Sequence, residues 1–395
     1  MEKKGQMAVK LDISKAYDLV EWNFLEGIMS NLGFAGQWIN LIMACLKSVS
    51  YAILFNGEPH GLITPSQGIR QGDPLSPYLF LLCVEGLSCL LRKAELDNLF
   101  HGISVCRGGP RITHLLFVED SLIFCEASVL ECERLGTLLD LYEDASRQQV
   151  NRQKIALFFS KNTPSPIWIE VKQFWGVSSS SQFAKYLGLL ASIGRNKGQT
   201  FRRVKDRLIR RLEGWNERFL SKAGREVLIK AVVQAISAYS MSVFMLPRGW
   251  CDEINALVAK YWWGLQGSSW KIHWCQWSSL CQPKEAGGLG FQDLMAFNKA
   301  LLAKQGWRLL SNTHSLFFRT FKSKYFPKSS FLLARLGSNP SFVWRSFLAA
   351  RELLTERVRW KIGSGSMVEV WNDRWTPYPL SRGWFIRSPV CCRAH

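Results

Sequence analysis

At 395 residues the chain has room for two or three domains. Its 47% hydrophobic and 21% charged content fits a globular protein with a sizeable core and excludes a disordered or fibrous one. The 50 Lys and Arg against 31 Asp and Glu give a formal charge of +19, which points to a polyanion: nucleic acid, or as the competing partner an anionic membrane surface.

No apolar core of a signal peptide follows Met1-Glu2-Lys3-Lys4-Gly5-Gln6. The longest greasy stretch, Tyr78 to Leu91, is too short to span a bilayer and contains Glu85, so no membrane association is expected. Eleven cysteines, an odd number without a CxxC pair, suit reduced thiols in an intracellular compartment. His273, Cys275 and Cys281 lie close together, as do Cys391, Cys392 and His395, but neither group has zinc-finger spacing.

Ala8 to Ile13 alternates, with Val9, Leu11 and Ile13 on one face and Lys10 and Asp12 on the other, which predicts a half-buried strand ending near Asp12. Trp22, Leu25, Met29 and Leu32 then fall on one face of a helix that Gly33 stops. Ser50 to Phe55, Asn56-Gly57 and His60 to Thr64 form the strongest hairpin signal in the chain. The loop from Gln67 to Pro77 follows, in which Gly68 and Gly72 allow a close backbone approach and Arg70 and Gln71 offer donors. Ser76 is placed to cap a buried helix running from Tyr78 to Leu91, with Pro77 in its first turn.

Thr113 to Phe124 reads as two short strands meeting at a tight turn with Glu119 and Asp120 at its tip. Leu130 to Tyr142 is helical by period, and Arg147 to Lys154 leads into a strand from Ile155 to Phe159. Pro164, Pro166 and Ser178 to Ser181 mark a boundary region. Phe201, Val204, Leu208, Leu212 and Trp215 then recur at helical spacing, while Arg202, Arg203, Lys205, Arg207, Arg210 and Arg211 fill the other faces. From Lys185 to Lys230, 13 basic residues stand against 4 acidic ones, a density that favours phosphate contact. Beyond Pro247 tryptophan is abundant, as at Trp250, Trp262, Trp274, Trp307, Trp344 and Trp371; such rings either stack on unpaired bases or fill a core. Gly287-Gly288-Leu289-Gly290 lacks the Lys-Ser/Thr of a P-loop and reads as a turn.

Lys10-Leu11-Asp12-Ile13-Ser14-Lys15-Ala16-Tyr17-Asp18 with Val20-Glu21-Trp22, followed by Arg70-Gln71-Gly72-Asp73-Pro74-Leu75-Ser76-Pro77, resembles the A and B motifs of plant LINE-type non-LTR retrotransposon reverse transcriptases. Lys185 to Gly188, Lys222 to Lys230, Gly287 to Phe291 and Ala303 to Leu310 look like the downstream part of the same polyproteins. The resemblance implies an α+β fold: a reverse-transcriptase palm at 1–160, a primer-grip and basic thumb-like helical region at 161–264, and a Trp-rich, mainly helical region at 265–395.

It also implies templated DNA synthesis with two Mg²⁺ or Mn²⁺ ions, which carboxylates on adjacent strands suit as hard oxygen ligands. Asp12 and Glu119 would ligate the metals, with Asp120 as the lesser ligand. Tyr17 would sit under the sugar as the gate against a 2′-hydroxyl; Arg70, Gln71 and Gly72 would border nucleotide and template; and Lys154 would lie near the leaving pyrophosphate. The span around Tyr186 to Gly188 would hold the primer end, and the basic helices would bind the duplex. The implied partners are an RNA template and a DNA primer, and the family's work on chromosomal DNA implies the nucleus.

Three departures qualify the activity. The family's aromatic-Ala-Asp-Asp tip is Phe117-Val118-Glu119-Asp120 here. The fingers and endonuclease that precede this region in the family, and the zinc and RNase H-like portions that follow it, are expected to be absent. The alternatives to an enzyme are a non-catalytic nucleic-acid binder and a relic of a decayed element.

Overall fold

A computed structural model describes residues 5–177, 197–214, 220–266, 269–270, 272–359, 361–362 and 366. The Tyr186 to Gly188 span, Trp215, Trp371 and the Cys391, Cys392 and His395 group lie outside the described residues. The chain divides into two compact units, Met1–Ser192 and Ile193–His395.

The first unit contains β1 (Gln6–Ser14), α1 (Trp22–Asn31), α2 (Gly36–Lys47), β2 (Tyr51–Phe55), β3 (Glu58–Ile63), α3 (Ser76–Leu96), β4 (Ile103–Ser104), β5 (Arg111–Ile112), β6 (His114–Phe117), β7 (Asp120–Glu126), α4 (Val129–Ser146), β8 (Gln149–Val150), β9 (Ala156–Phe159) and α5 (Ser165–Trp175). Its antiparallel sheet runs β6-β7-β1-β8, with β9 also paired to β1. β1 is central because both of its edges are used: Gln6 to Asp12 pair with β7, Met7 to Lys10 with β9, and Ile13 and Ser14 with β8.

The alternation expected at the start of the chain holds. Met7, Val9, Leu11 and Ile13 are buried, while Ala8, Lys10, Asp12 and Ser14 are half-buried on the opposite face. Met7, Val9 and Leu11 pack under Leu87 and Leu91 of α3, Leu135, Leu139 and Tyr142 of α4, and Val171 and Trp175 of α5. A second cluster joins Ile13, Ala16 and Val20 to Leu25 and Met29 of α1, Ile39 and Met43 of α2, and Phe80 and Cys83 of α3. These helices thus cover the apolar face of β1 and leave Lys10 and Asp12 on the other, which is the face that carries the site.

Three local expectations change. Leu32 is the C-cap of α1 and is exposed, because the helix ends at Asn31 before its apolar stripe reaches that position. Ser76 does not cap α3: Leu75 before it already has helical dihedrals, and the Asp73 carboxylate accepts from the Leu75 amide at 2.7 Å. The central hairpin closes one residue earlier than expected, with Phe117 paired to Asp120, so Val118 and Glu119 form the turn and Asp120 opens β7.

The second unit is mainly helical: α6 (Lys197–Gly214), α7 (Lys222–Leu228), a π-helical turn (Ile229–Val233), α8 (Gln234–Met241), α9 (Arg248–Trp263), the short strands β10 (Leu265–Gln266) and β11 (Ser269–Trp270), α10 (Trp277–Leu280), α11 (Leu294–Ser311), α12 (Leu316–Tyr325), α13 (Phe342–Ala349) and α14 (Arg351–Arg357). Asp293, Ser315 and Ser341 cap α11, α12 and α13 through their side chains. The tryptophans divide. Trp344 is fully buried and stacks on Tyr325 at 4.7 Å, and Trp250 and Trp262 are buried too, whereas Trp274 and Trp307 are exposed. Asn298, without solvent exposure, accepts from the Leu246 amide and donates to the carbonyls of Met241 and Phe244, fixing the connection after α8.

The stretch from Lys222 to Lys230 and the Gly287-Gly288-Leu289-Gly290 turn meet in this unit. Lys230 Nζ donates to the Leu289 carbonyl at 2.6 Å and pairs with Glu226 at 2.7 Å. Lys222 Nζ donates to the Trp262 carbonyl and lies 4.7 Å from the centre of a Trp262 ring. A side chain at Gly288 would sit 2.0 Å from the Gln282 carbonyl oxygen, so glycine there is a packing requirement.

Candidate nucleotidyl-transfer site

Asp12 and Asp120 stand directly opposite each other in the β1–β7 register. Directly opposed residues share a face, so both carboxylates project from the half-exposed side of the sheet. Glu119 is held beside them by its own backbone, since its carbonyl accepts from the Ile13 amide at 3.1 Å. A cleft of about 980 Å³ opens here; Asp12, Tyr17, Gln71, Gly72, Glu119 and Lys154 are among the residues that line it.

Each aspartate carries a lysine. Lys154 Nζ lies 3.2 Å from both carboxylate oxygens of Asp12. Lys10 Nζ lies 2.7 Å from Asp120 Oδ1. Among the described residues no three carboxylate, imidazole or thiol groups converge to hold a metal ion. The donor chemistry nevertheless fits a hard divalent cation: two facing aspartates and an exposed glutamate supply oxygen ligands, and the paired lysines mark where positive charge is already favoured.

The turn that carries Glu119 is strained. Val118 has φ +47°, a left-handed conformation that costs an L residue about 1–2 kcal/mol and is rare for a β-branched one. Its side chain is partly buried against the cluster around Ile13 and Phe80, and this packing offsets some of that cost.

The floor of the cleft is built by contacts remote in sequence. The Tyr17 ring stacks on Phe80 at 4.9 Å and 18°, and the Tyr17 carbonyl accepts from the Ile69 amide. Gly68, at φ +86°, donates to the Val20 carbonyl at 2.8 Å and accepts from Trp22 Nε1 at 2.8 Å. These bonds tie the loop carrying Arg70, Gln71 and Gly72 to the turn carrying Tyr17. Arg70 is exposed and does not line this cleft; it lines a second one of about 430 Å³ beside Asp18 and Trp22, and Gln71 lines both.

Two supporting residues were not singled out from the sequence. Gln148, 1% exposed, donates to the Ala16 carbonyl at 2.6 Å and accepts from the Tyr142 hydroxyl, bracing the backbone next to Tyr17. Asn151 lines the cleft and donates its amide to the Asp12 carbonyl at 2.8 Å. A polar residue in the buried stretch after a helix was the one available signal for Gln148; its partner lies 132 residues away.

In the second unit, α6 buries Phe201, Leu208 and Leu212 and exposes Arg202, Arg203, Arg207, Arg210 and Arg211. Lys205 is half-buried and pairs with Glu253, which removes it from the free basic surface. None of the five exposed arginines has an ion-pair partner among the described residues. His273, near Cys275 and Cys281 in sequence, stacks on Trp263, and burial pushes the Cys281 thiol up to about 11.

The family described as "Reverse transcriptase (RNA-dependent DNA polymerase)" matches residues 1–190. An uncharacterized mitochondrial protein of Arabidopsis thaliana is 42% identical over 37% of this chain and 97% of its own length. The chain belongs to the reverse transcriptase family. A putative ribonuclease H protein of Arabidopsis thaliana is 36% identical over 45% of this chain and 29% of its own length. A Pol polyprotein from the type-1 retrotransposable element R2 of Popillia japonica is 29% identical over 36% of this chain and 19% of its own length. These relatives put the chain among plant non-LTR retrotransposon reverse transcriptases, and it spans less than a third of the latter two proteins. A solved telomerase of Candida tropicalis aligns with 80% of this chain and 49% of its own, at 11% identity and a TM-score of 0.37, too distant to argue from. Reverse transcriptases as a family depend on divalent metal and bind nucleic acid. Among the described residues no helix is long and apolar enough to cross a membrane.

Proposed function

We propose that this chain carries the polymerase site of an RNA-directed DNA polymerase, built on Asp12, Glu119 and Asp120 and slowed by the glutamate. The observation that carries the reading is that Asp12, directly opposite Asp120 in the sheet, lines one cleft with Tyr17, Gln71, Gly72, Glu119 and Lys154. Asp12 and Glu119 would hold two Mg²⁺ or Mn²⁺ ions, with Asp120 the lesser ligand. Bound there, the ions supply activation of a primer hydroxyl and charge stabilisation of a triphosphate.

The remaining roles belong to the chain's own side chains. Tyr17, fixed against Phe80, lies under the sugar and excludes a 2′-hydroxyl. Arg70, Gln71 and Gly72 border the nucleotide and the template base, and Gly72 leaves room for a backbone because nothing lies within 4 Å of its missing Cβ. Lys154, 63% exposed, is free to move from Asp12 to a leaving pyrophosphate. The first unit then acts as a palm and the second as a thumb-like and C-terminal region, with the five arginines of α6 on the phosphates of an RNA template and DNA primer. On this reading it would act on chromosomal DNA in the nucleus, the compartment that the resemblance suggests.

Glu119 adds a methylene to a ligand of an ion that requires near-octahedral geometry, and a displacement of about 1 Å costs roughly a hundredfold in rate. The test is primer extension on a primed RNA template by the Glu119→Asp variant. Extension is expected to rise well above wild type; no gain in a folded variant would contradict the geometric argument. A second reading, a non-catalytic nucleic-acid binder, is favoured by the α6 arginine face, which requires no metal.

A further inference from the structure

We propose that Lys10 is a positioning residue for the metal site: it holds Asp120 out of the cleft as its counter-ion, so that Asp120 becomes a ligand only when Lys10 releases it. The inference rests on the polymerase-site reading. β1 places Lys10 and Asp12 on one face two residues apart, and the register puts Lys10 opposite Leu122 and Asp12 opposite Asp120. Leu122 is buried and apolar, so the lysine reaches diagonally to Asp120, at 2.7 Å. Asp120 is its one ion-pair partner among the described residues.

The two lysines differ in kind. Lys154 sits on an exposed turn, is 63% exposed and bridges both oxygens of Asp12. Lys10 is anchored in the middle of the central strand, with its side chain 28% exposed against 25% for Asp120. A partly desolvated charge on a rigid strand gives up its partner less readily than one on a turn. The cleft reflects this: Asp12 and Glu119 line it, and Asp120 does not. Lys10 thereby makes a two-carboxylate site of what the sequence presents as a three-carboxylate site.

The test is Mn²⁺ binding by the full chain, read from the electron paramagnetic resonance signal of free Mn²⁺ and requiring no polymerase activity. In wild type, Asp120→Asn is expected to change the dissociation constant by no more than about twofold, and Lys10→Met to tighten it by about tenfold, the scale of a change in the groups that orient a ligand. Adding Asp120→Asn to Lys10→Met is expected to remove that gain. A gain from Lys10→Met that survives Asp120→Asn, or a loss from Asp120→Asn as large with Lys10 as without it, would overturn the proposal. Asp12→Asn separates the two readings: it is expected to weaken Mn²⁺ binding in every background, and if it has no effect in any of them the polymerase site itself fails. A cooperative thermal transition checks each variant, and Lys10→Gln replaces Lys10→Met if that variant does not fold.

Discussion

Gly68 is where the two loops of the site are pinned together, and alanine there is expected to loosen them more than alanine at Gly72. Both glycines have left-handed dihedrals, φ +86° and +90°. Each substitution therefore incurs about 1–2 kcal/mol of backbone strain, less about 0.4–1 kcal/mol of entropy that alanine removes from the unfolded chain. Only at Gly68 does the new Cβ meet other atoms: the Asp18 carbonyl oxygen at 2.6 Å and its carbon at 3.1 Å. Backbone cannot swing aside as a side chain can, and overpacking of this kind costs about 1–3 kcal/mol more. Hydrogen exchange of the segment from Pro65 to Leu75 reads this difference locally. Gly68→Ala is expected to exchange about 5- to 150-fold faster than Gly72→Ala there. Equal protection in the two variants would refute the claim that close approach to Asp18, rather than dihedral angle alone, selects glycine at position 68.

Three further outcomes follow from the same geometry. Burial and then the Arg92 guanidinium hold the His114 imidazole below its ordinary value, with Ser88 Oγ 3.0 Å and Thr113 Oγ1 2.9 Å from its ring nitrogens. Its contribution to stability is therefore complete above the unfolded value of about 6.5 and is lost as pH falls from there through the folded one; urea midpoints of the His114→Asn variant should lose that part of the slope. Gln148→Leu leaves the Ala16 carbonyl without its side-chain donor and is expected to cost about 1–3 kcal/mol in chemical unfolding, against less than about 0.5 kcal/mol for Gln149→Leu at the exposed neighbour. Replacing the five exposed arginines of α6 by glutamine should flatten the dependence of log affinity for primer-template duplex on log salt by up to about 4.5. An unchanged slope would mean that α6 does not touch phosphate.

The parts of the site that were legible in the sequence are those fixed by short-range periodicity. Alternation from Ala8 to Ile13 placed Asp12 on the solvent-facing side of a strand, and the spacing of Phe201, Leu208 and Leu212 placed the arginines of α6 in water. The central hairpin was legible but its register was not. Neither Val118-Glu119 nor Glu119-Asp120 has the glycine or asparagine that fixes a tight turn, so only pairing with β1 decides which residues form the tip. Gln148 on Ala16 and Lys10 on Asp120 join residues more than a hundred positions apart, and no local pattern encodes such contacts. The tryptophans divide for the same reason: Trp344 and Trp274 are alike in sequence terms, and only the surrounding aromatic cluster buries the first.

Nucleotidyl transfer by this chain requires Asp12. Primer extension on a primed RNA template, with Mg²⁺ or Mn²⁺ and purified chain, measures this beside an Asp12→Ala control. Extension that depends on template and disappears in the control is the expected result, and it would show that Glu119 still holds the metals. A folded wild-type chain that binds primer-template but never extends it, or an Asp12→Ala variant that extends as well as wild type, would contradict the polymerase assignment.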